Sequence, residues 1–376
     1  MAQLERFGHG GDLMTATELF GVAVEDLIDF SSNIYPFGPP PAVVEKLKEL
    51  LAEPGLASLT RYPDPDSRKL KRAIASFHGI EPSRVLTGNG AAELIDLLIS
   101  VFKPGRAGTI EPAFAEYAGS ARKRGIPVVS CITSWENRFV PTLDEVKSLI
   151  DESDLLIVGT PNNPTGHLLS VPFLEEMAEY AAKAEKWLVI DEAFIDFVPD
   201  GERRSFVHRV DSFPTTVVVR SMTKFYALPG LRLGYLVASE PVIKKLKQMQ
   251  VPWSVNALAQ EAGCVVLDES IRKDFAQEVL LWLSEEKKRL TAELKKIKEL
   301  EVFPGEANYL LLRFRERAGH YSADWLQHEL GKKGFLIRDC SMYPGLDERY
   351  FRIAVKTSRA NRVLVRAIDE LISKEG

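Results

Sequence analysis

Ser221, Lys224 and Arg232 put a hydroxyl, an amine and a guanidinium on one short stretch of chain. An amine beside a hydroxyl and a fixed cation suits a Schiff base to an aldehyde cofactor that also carries a phosphate. Asp191 ends the apolar run 187–190. A carboxylate buried there is costly unless it meets a cation, and a protonated pyridine nitrogen is such a cation. Asn163, in the loop Thr160-Pro161-Asn162-Asn163-Pro164-Thr165-Gly166, adds an amide. Amide, acid and amine in this chain order make electron withdrawal from a substrate carbon through a pyridinium ring the expected chemistry. Transamination, decarboxylation and elimination all stay open on these residues.

Each of the three follows an apolar, β-branched run: 155–159 before Asn163, 187–190 before Asp191 and 215–219 before Lys224. Such runs predict buried parallel strands, and the carboxyl ends of those strands are where α/β sheets place ligands. Pro229 and Gly230 turn the backbone between Lys224 and Arg232. A further strand is predicted at 85–87, followed by Gly88-Asn89-Gly90-Ala91-Ala92-Glu93 and a helical pattern over 94–102. A small-residue turn entering a helix offers backbone N–H groups to a phosphate, so Gly90, Ala91 and Ala92 form the expected cup, completed by Ser221 and Arg232. The run 107–111 predicts the next strand, leading to Pro112-Ala113-Phe114.

Turn formers crowd residues 1–40, which predicts an extended arm with little regular structure. His9 and Asn33 on it carry donors for an anionic substrate group, and Gly10 allows close backbone approach. Beyond residue 253 the pattern changes to amphipathic helices at 257–267 and 272–300, strands near 308–312 and 350–355, and a closing helix at 359–372. The division read from this is an arm at 1–40, a large domain at 41–265 and a small α+β domain at 266–376. Arg338 and Arg352 in the last part are flanked by apolar strand residues, and a carboxylate is the best partner for an arginine so placed.

Asn-Pro-Thr-Gly at 163–166, Asp-x-Ala-aromatic at 191–194 and Ser-x-x-Lys at 221–224, with Arg232 eight residues on, resemble the class I/II aminotransferase superfamily. The resemblance covers nearly the whole chain. It implies a fold-type I transferase, α/β, with a large cofactor domain on a mostly parallel sheet and a small α+β domain. It also implies pyridoxal 5′-phosphate, Lys224 as its Schiff-base lysine, Asp191 facing its ring nitrogen and Phe114 stacked on its face. By the same resemblance Arg352 takes a substrate carboxylate and Arg338 a second anionic group such as a phosphate. Tyr62, in Arg61-Tyr62-Pro63-Asp64, would reach across a homodimer to the other protomer's cofactor phosphate. Phe194 departs from the tyrosine of many relatives, which implies a cofactor imine that stays protonated to higher pH. The arm and the segments 59–64, 88–93 and 191–197 resemble the phosphothreonine decarboxylase branch, which makes aminopropanol phosphate for cobalamin. The histidinol-phosphate aminotransferase branch is the alternative. A small phosphorylated amino-acid substrate is implied, held by His9, Gly10, Asn33, Asn163, Arg338 and Arg352.

Composition narrows the partners. The 376 residues carry 48 Lys and Arg against 53 Asp and Glu, a formal charge of -5, so no basic field draws nucleic acid or anionic lipid. Cys131, Cys264 and Cys340 lie far apart without metal-like or paired spacing, which points to a reducing compartment and no metal site. No apolar run reaches membrane-spanning length and the first residues are polar, so a cytoplasmic protein is expected.

Overall fold

The computed structural model describes residues 4, 10–316 and 321–375, so His9 lies outside the described residues. After the short strand β1 (Ile28–Asp29), seven strands build the large sheet: β2 (Val85–Gly88), β3 (Ala107–Glu111), β4 (Val128–Ile132), β5 (Leu155–Gly159), β6 (Trp187–Asp191), β7 (Thr216–Ser221) and β8 (Gly234–Val237). Their order is β2-β8-β7-β6-β5-β3-β4, parallel except for β8, which runs against both neighbours.

Burial on both faces is why the central strands carry no polar alternation. Leu155 and Ile157 of β5 belong to one apolar cluster and Leu156 and Val158 to the other; Val217 and Val218 of β7 divide the same way. Successive side chains thus feed two helical layers. Two strands escape the sequence reading. Edge strand β4 is half-exposed, and β8 is a four-residue run directly after the Arg232 loop.

The arm has more regular structure than its turn formers predict. A helix spans Leu13–Phe20, capped by the Asp12 carboxylate, which accepts from Thr15 N at 3.1 Å, and ended by Gly21 at φ 69°. The predicted helix 272–300 runs instead over Glu269–Leu294, because Asp268 caps it early and Leu300 opens β9 (Leu300–Val302). With β10 (Tyr309–Phe314), β11 (Phe335–Leu336), β12 (Arg338–Asp339) and β13 (Tyr350–Ala354), the C-terminal part forms an antiparallel sheet of order β12-β13-β10-β9. Strand β11 pairs instead with β1, which ties the arm to this part of the chain. Arg338 lies directly opposite Arg352 across β12 and β13. Like charges so placed repel, which marks the pair as serving something other than the sheet.

Candidate active site

A cavity of about 330 Å³ is lined from the carboxyl ends of β5, β6 and β7, from the arm and from β12 and β13. Gly10, Asn33, Ala91, Ala92, Phe114, Asn163, Asp191, Ser221, Lys224, Arg232, Arg338 and Arg352 all line it, so the separately read motifs converge on one space. Gly90 lies beside it. At φ 89° it caps the helix Ala91–Phe102, and a Cβ there would come within 2.6 Å of Arg232 Nη2. Tyr62 is the exception among the described predicted residues. It is 82% exposed, away from the cavity, and stacked on Trp253 at 4.7 Å.

Asp191 is the last residue of β6 and is buried. Its Oδ2 accepts from the Tyr117 hydroxyl at 2.7 Å and its Oδ1 from Ala193 N at 3.0 Å. Burial pushes its carboxyl above the usual range, against the Tyr117 hydrogen bond and the Lys224 charge. No ion pair reaches it among the described residues. Lys224 stands past the end of β7, with its Nζ 5.9 Å from the Phe194 ring centre. Burial lowers its ammonium to about 8; Arg232 and Arg352 push the same way, while Asp191 opposes them. A lysine so tuned is deprotonated often enough near neutral pH to act as a nucleophile.

One end of the cavity is built from N–H groups and hydroxyls. No side chain caps the helix Ala91–Phe102, so its first N–H groups stay available beside Arg232. Ser221 Oγ lies 2.8 Å from Thr223 Oγ1, adding a second hydroxyl that the sequence reading did not assign. Tyr117 was missed likewise. Its signal is position: three residues after Phe114, the N-cap, it lies in the first turn of the helix Ala115–Arg122, and the two rings meet edge to face at 5.6 Å. Ser31, Ser32 and Tyr343 also line the cavity without any local signature.

At the opposite end, Arg338 is 1% and Arg352 4% exposed. Arg352 Nη1 donates to Asn163 Oδ1 and Nη2 to Ser31 O at 2.6 Å, while Nε finds no hydrogen-bond partner among the described residues. Arg338 donates to Met342 Sδ at 3.3 Å and lies 5.4 Å over the Tyr343 ring. Tyr309 supports this wall. Its hydroxyl donates to Asn162 O at 2.6 Å and its ring meets Phe194 edge-on at 5.1 Å.

Behind the site, Arg220 and Glu192 adjoin Ser221 and Asp191 in sequence and are both buried. Arg220 bonds Glu192 at 3.4 Å and Asp196 at 2.7 Å, while Glu192 also accepts from Ser205 Oγ and Phe206 N, each at 2.6 Å. Burial raises the Glu192 carboxyl to about 7 despite the nearby guanidinium. The network ties the ends of β6 and β7 together from beneath. Among the described residues one cluster of metal-ligand types, His78, Glu202 and His208, lies beyond it. There both histidines bond Glu202 Oε1, at 2.7 and 3.0 Å, and Arg220 pairs with Glu202 Oε2 at 3.6 Å, beyond hydrogen-bond distance.

Residues 25–368 match the aminotransferase class I and II family. The chain belongs to that family. Among relatives of this class I/II aminotransferase chain, the threonine-phosphate decarboxylase of Salmonella typhimurium is 38% identical over 97% of the chain and 96% of its own length. Among solved structures, the histidinol-phosphate aminotransferase from Clostridium acetobutylicum is 32% identical at a TM-score of 0.83, covering 93% of this chain and 100% of its own. The L-threonine-O-3-phosphate decarboxylase from Porphyromonas gingivalis is 25% identical at a TM-score of 0.79, covering 92% and 100%. The fold expected from the motifs, a large mostly parallel sheet with a small antiparallel one, is the one observed.

The cofactor of this class I/II chain is pyridoxal 5′-phosphate. Its own residues fit that group. A buried carboxylate in no ion pair among the described residues suits a protonated ring nitrogen, an amine likewise unpaired suits an aldehyde, and an uncapped helix start with two hydroxyls and a guanidinium suits a phosphate. Among the described residues no helix is long and apolar enough to cross a membrane.

Proposed function

We propose that this chain decarboxylates L-threonine O-3-phosphate to (R)-1-amino-2-propanol O-2-phosphate and carbon dioxide, for cobalamin assembly in the cytoplasm. The observation that carries the reading is the pair Arg338 and Arg352. The two buried guanidiniums stand side by side across β12 and β13 in the cavity that also holds Lys224 and Asp191, which suits a small substrate with two anionic groups. The similarity to threonine-phosphate decarboxylases supports it.

Bound at this site, the cofactor supplies an electron sink for the bond broken at the substrate Cα. In the proposed arrangement Asp191 keeps the ring nitrogen protonated, with Tyr117 holding the carboxylate in place. Ala91, Ala92, Ser221, Thr223 and Arg232 take the cofactor phosphate, with Gly90 allowing the guanidinium to lie close, and Phe114 covers the ring. Lys224 Nζ is the covalent anchor and, once released, an amine able to hold a proton and return it. Arg352, oriented by Asn163, takes the substrate carboxylate; Arg338 takes the substrate phosphate, and Gly10 and Asn33 close the pocket from the arm. Residues 1–40, 41–265 and 266–376 serve as arm, cofactor domain and small domain.

Tyr62 fits this scheme in a homodimer, reaching the other protomer's cofactor phosphate. Trp253, stacked on it, and the sequence neighbours Leu59 and Val251 of the two rings are exposed at 46%, 58% and 72%, apolar surface suited to a second copy of the chain. Sedimentation should return a dimer, and a monomer at micromolar protein would remove Tyr62 from the site.

Purified holoenzyme given L-threonine O-3-phosphate and no keto acid should release carbon dioxide and aminopropanol phosphate in step, turnover after turnover. Amino transfer between histidinol phosphate and 2-oxoglutarate, with no carbon dioxide release, would move the chain to the aminotransferase reading.

A further inference from the structure

Five successive carbonyls of the arm, from Phe30 to Ile34, are all held by donors from β13, from Lys356 just after it and from Asn308, directly before β10. Phe30 O accepts from Ala354 N at 2.8 Å, Ser31 O from Arg352 Nη2 at 2.6 Å and Asn33 O from Asn308 Nδ2 at 3.1 Å. The other two belong to one side chain: Lys356 Nζ donates to Ser32 O at 3.0 Å and reaches Ile34 O at 3.5 Å. Lys356 stands four residues after Arg352 and two past the end of β13, where the chain still runs beside the arm. Asn308 lies opposite, where Val355 N donates to its carbonyl at 2.9 Å.

Lys356 does not line the cavity, but the residues it holds do. Ser31, Ser32, Asn33 and Ile34 form the arm's wall, and the buried Asn33 Oδ1 finds no partner among the described residues. One residue further, Tyr35 N donates to Lys224 O at 3.1 Å, so the same segment also touches the backbone of the lysine. Burial pushes the Lys356 ammonium below its usual range, with only Asp29 opposing, and it makes no ion pair among the described residues. A half-buried ammonium bonded to carbonyls alone costs desolvation that surface stabilisation does not explain.

We propose that Lys356 is a positioning residue for the substrate, its ammonium fixing the backbone on both sides of Asn33 and so setting the arm's polar wall. The inference rests on reading the cavity as a substrate pocket. Without the amine, the two part-buried carbonyls of Ser32 and Ile34 lose this donor and the wall loosens, while the cofactor's own contacts are untouched.

The test compares holoenzyme carrying Lys356→Met or Lys356→Arg with wild type. Hydrogen exchange, measured without substrate, should rise about tenfold in peptides covering 30–35 for the methionine variant and stay unchanged across β5 and β6. KM for L-threonine O-3-phosphate should rise about tenfold with kcat within about twofold, and the visible cofactor absorbance should be unaltered. Lys356→Arg, which keeps a cation and its donors, should restore both. Should Lys356→Met not fold, Lys356→Leu, which also lacks a donor, carries the same expectations. Unchanged exchange at 30–35 overturns the proposal, and so does faster exchange with an unchanged KM. A wild type that ignores threonine phosphate but turns over histidinol phosphate overturns the substrate reading alone; exchange and KM for histidinol phosphate then decide on Lys356.

Discussion

Lys224→Ala should lower turnover by at least about 10⁴-fold and abolish the visible absorbance of the bound cofactor. Lys224 is the only lysine lining the cavity among the described residues, and none of these offers a second amine to replace it. The substitution spares the fold, because the hydrogen bonds that Lys224 makes there come from its backbone. Its carbonyl accepts from Tyr35 N and Ala227 N, at 3.1 and 3.3 Å, and alanine retains it. The electrostatics favour the variant as well. A lysine whose folded value is depressed to about 8 adds stability only when the pH exceeds its unfolded value of 10.5, and that stability is lost as the pH falls through 8. At neutral pH the wild type without cofactor therefore carries a disfavoured charge, and the alanine variant should melt no lower. Lys224→Arg separates charge from chemistry. It keeps a cation between Asp191 and Arg352 but cannot supply a neutral amine, so it should be as inactive as the alanine. Full activity and absorbance in either variant would remove the lysine from the centre of the mechanism.

The convergence of the site was legible because each chemical residue ends a strand with an unmistakable pattern. Strands β3 and β5 fall where their apolar runs begin and end, and Asp191, Ser221 and Lys224 follow directly from where β6 and β7 stop. A parallel sheet converts that local signal into a global one, since its strand ends must lie side by side. Contacts lacking such a rule were invisible. Tyr117 meets Asp191 from a residue 74 positions away, and Thr223 differs from a bland loop threonine only through the backbone that turns it toward Ser221. The arm misled for a related reason. Its turn formers are real, but Asp12 and Gly21 use them to start and stop a helix, and β1 finds its partner in β11, far along the chain. The repulsive facing of Arg338 and Arg352 depends on strand register, which the runs of apolar residues around them do not encode.

Asp191→Asn should reduce kcat roughly 10³-fold while leaving Lys224 able to hold the cofactor. The amide matches the carboxylate in shape and can still accept from Ala193 N through its oxygen, so packing beside Tyr117 changes little. What disappears is the negative charge that would keep a ring nitrogen protonated. Stability gives the claim a second, independent readout. The folded carboxyl is raised above 3.8 by burial, so its stabilising contribution is present below that value and is lost as the pH climbs through the folded one. Without cofactor at neutral pH, wild type thus bears a buried charge whose desolvation outweighs the Tyr117 and Ala193 hydrogen bonds and the Lys224 charge, and the asparagine variant should melt at the same or a higher temperature. With cofactor the order should reverse, because a ligand that binds only the folded state stabilises in proportion to its affinity, and the cation that matches Asp191 adds to that affinity only in wild type. Equal cofactor-induced shifts in melting temperature for the two proteins, or near-normal turnover by the variant, would show that Asp191 is buried for packing and not for the ring nitrogen.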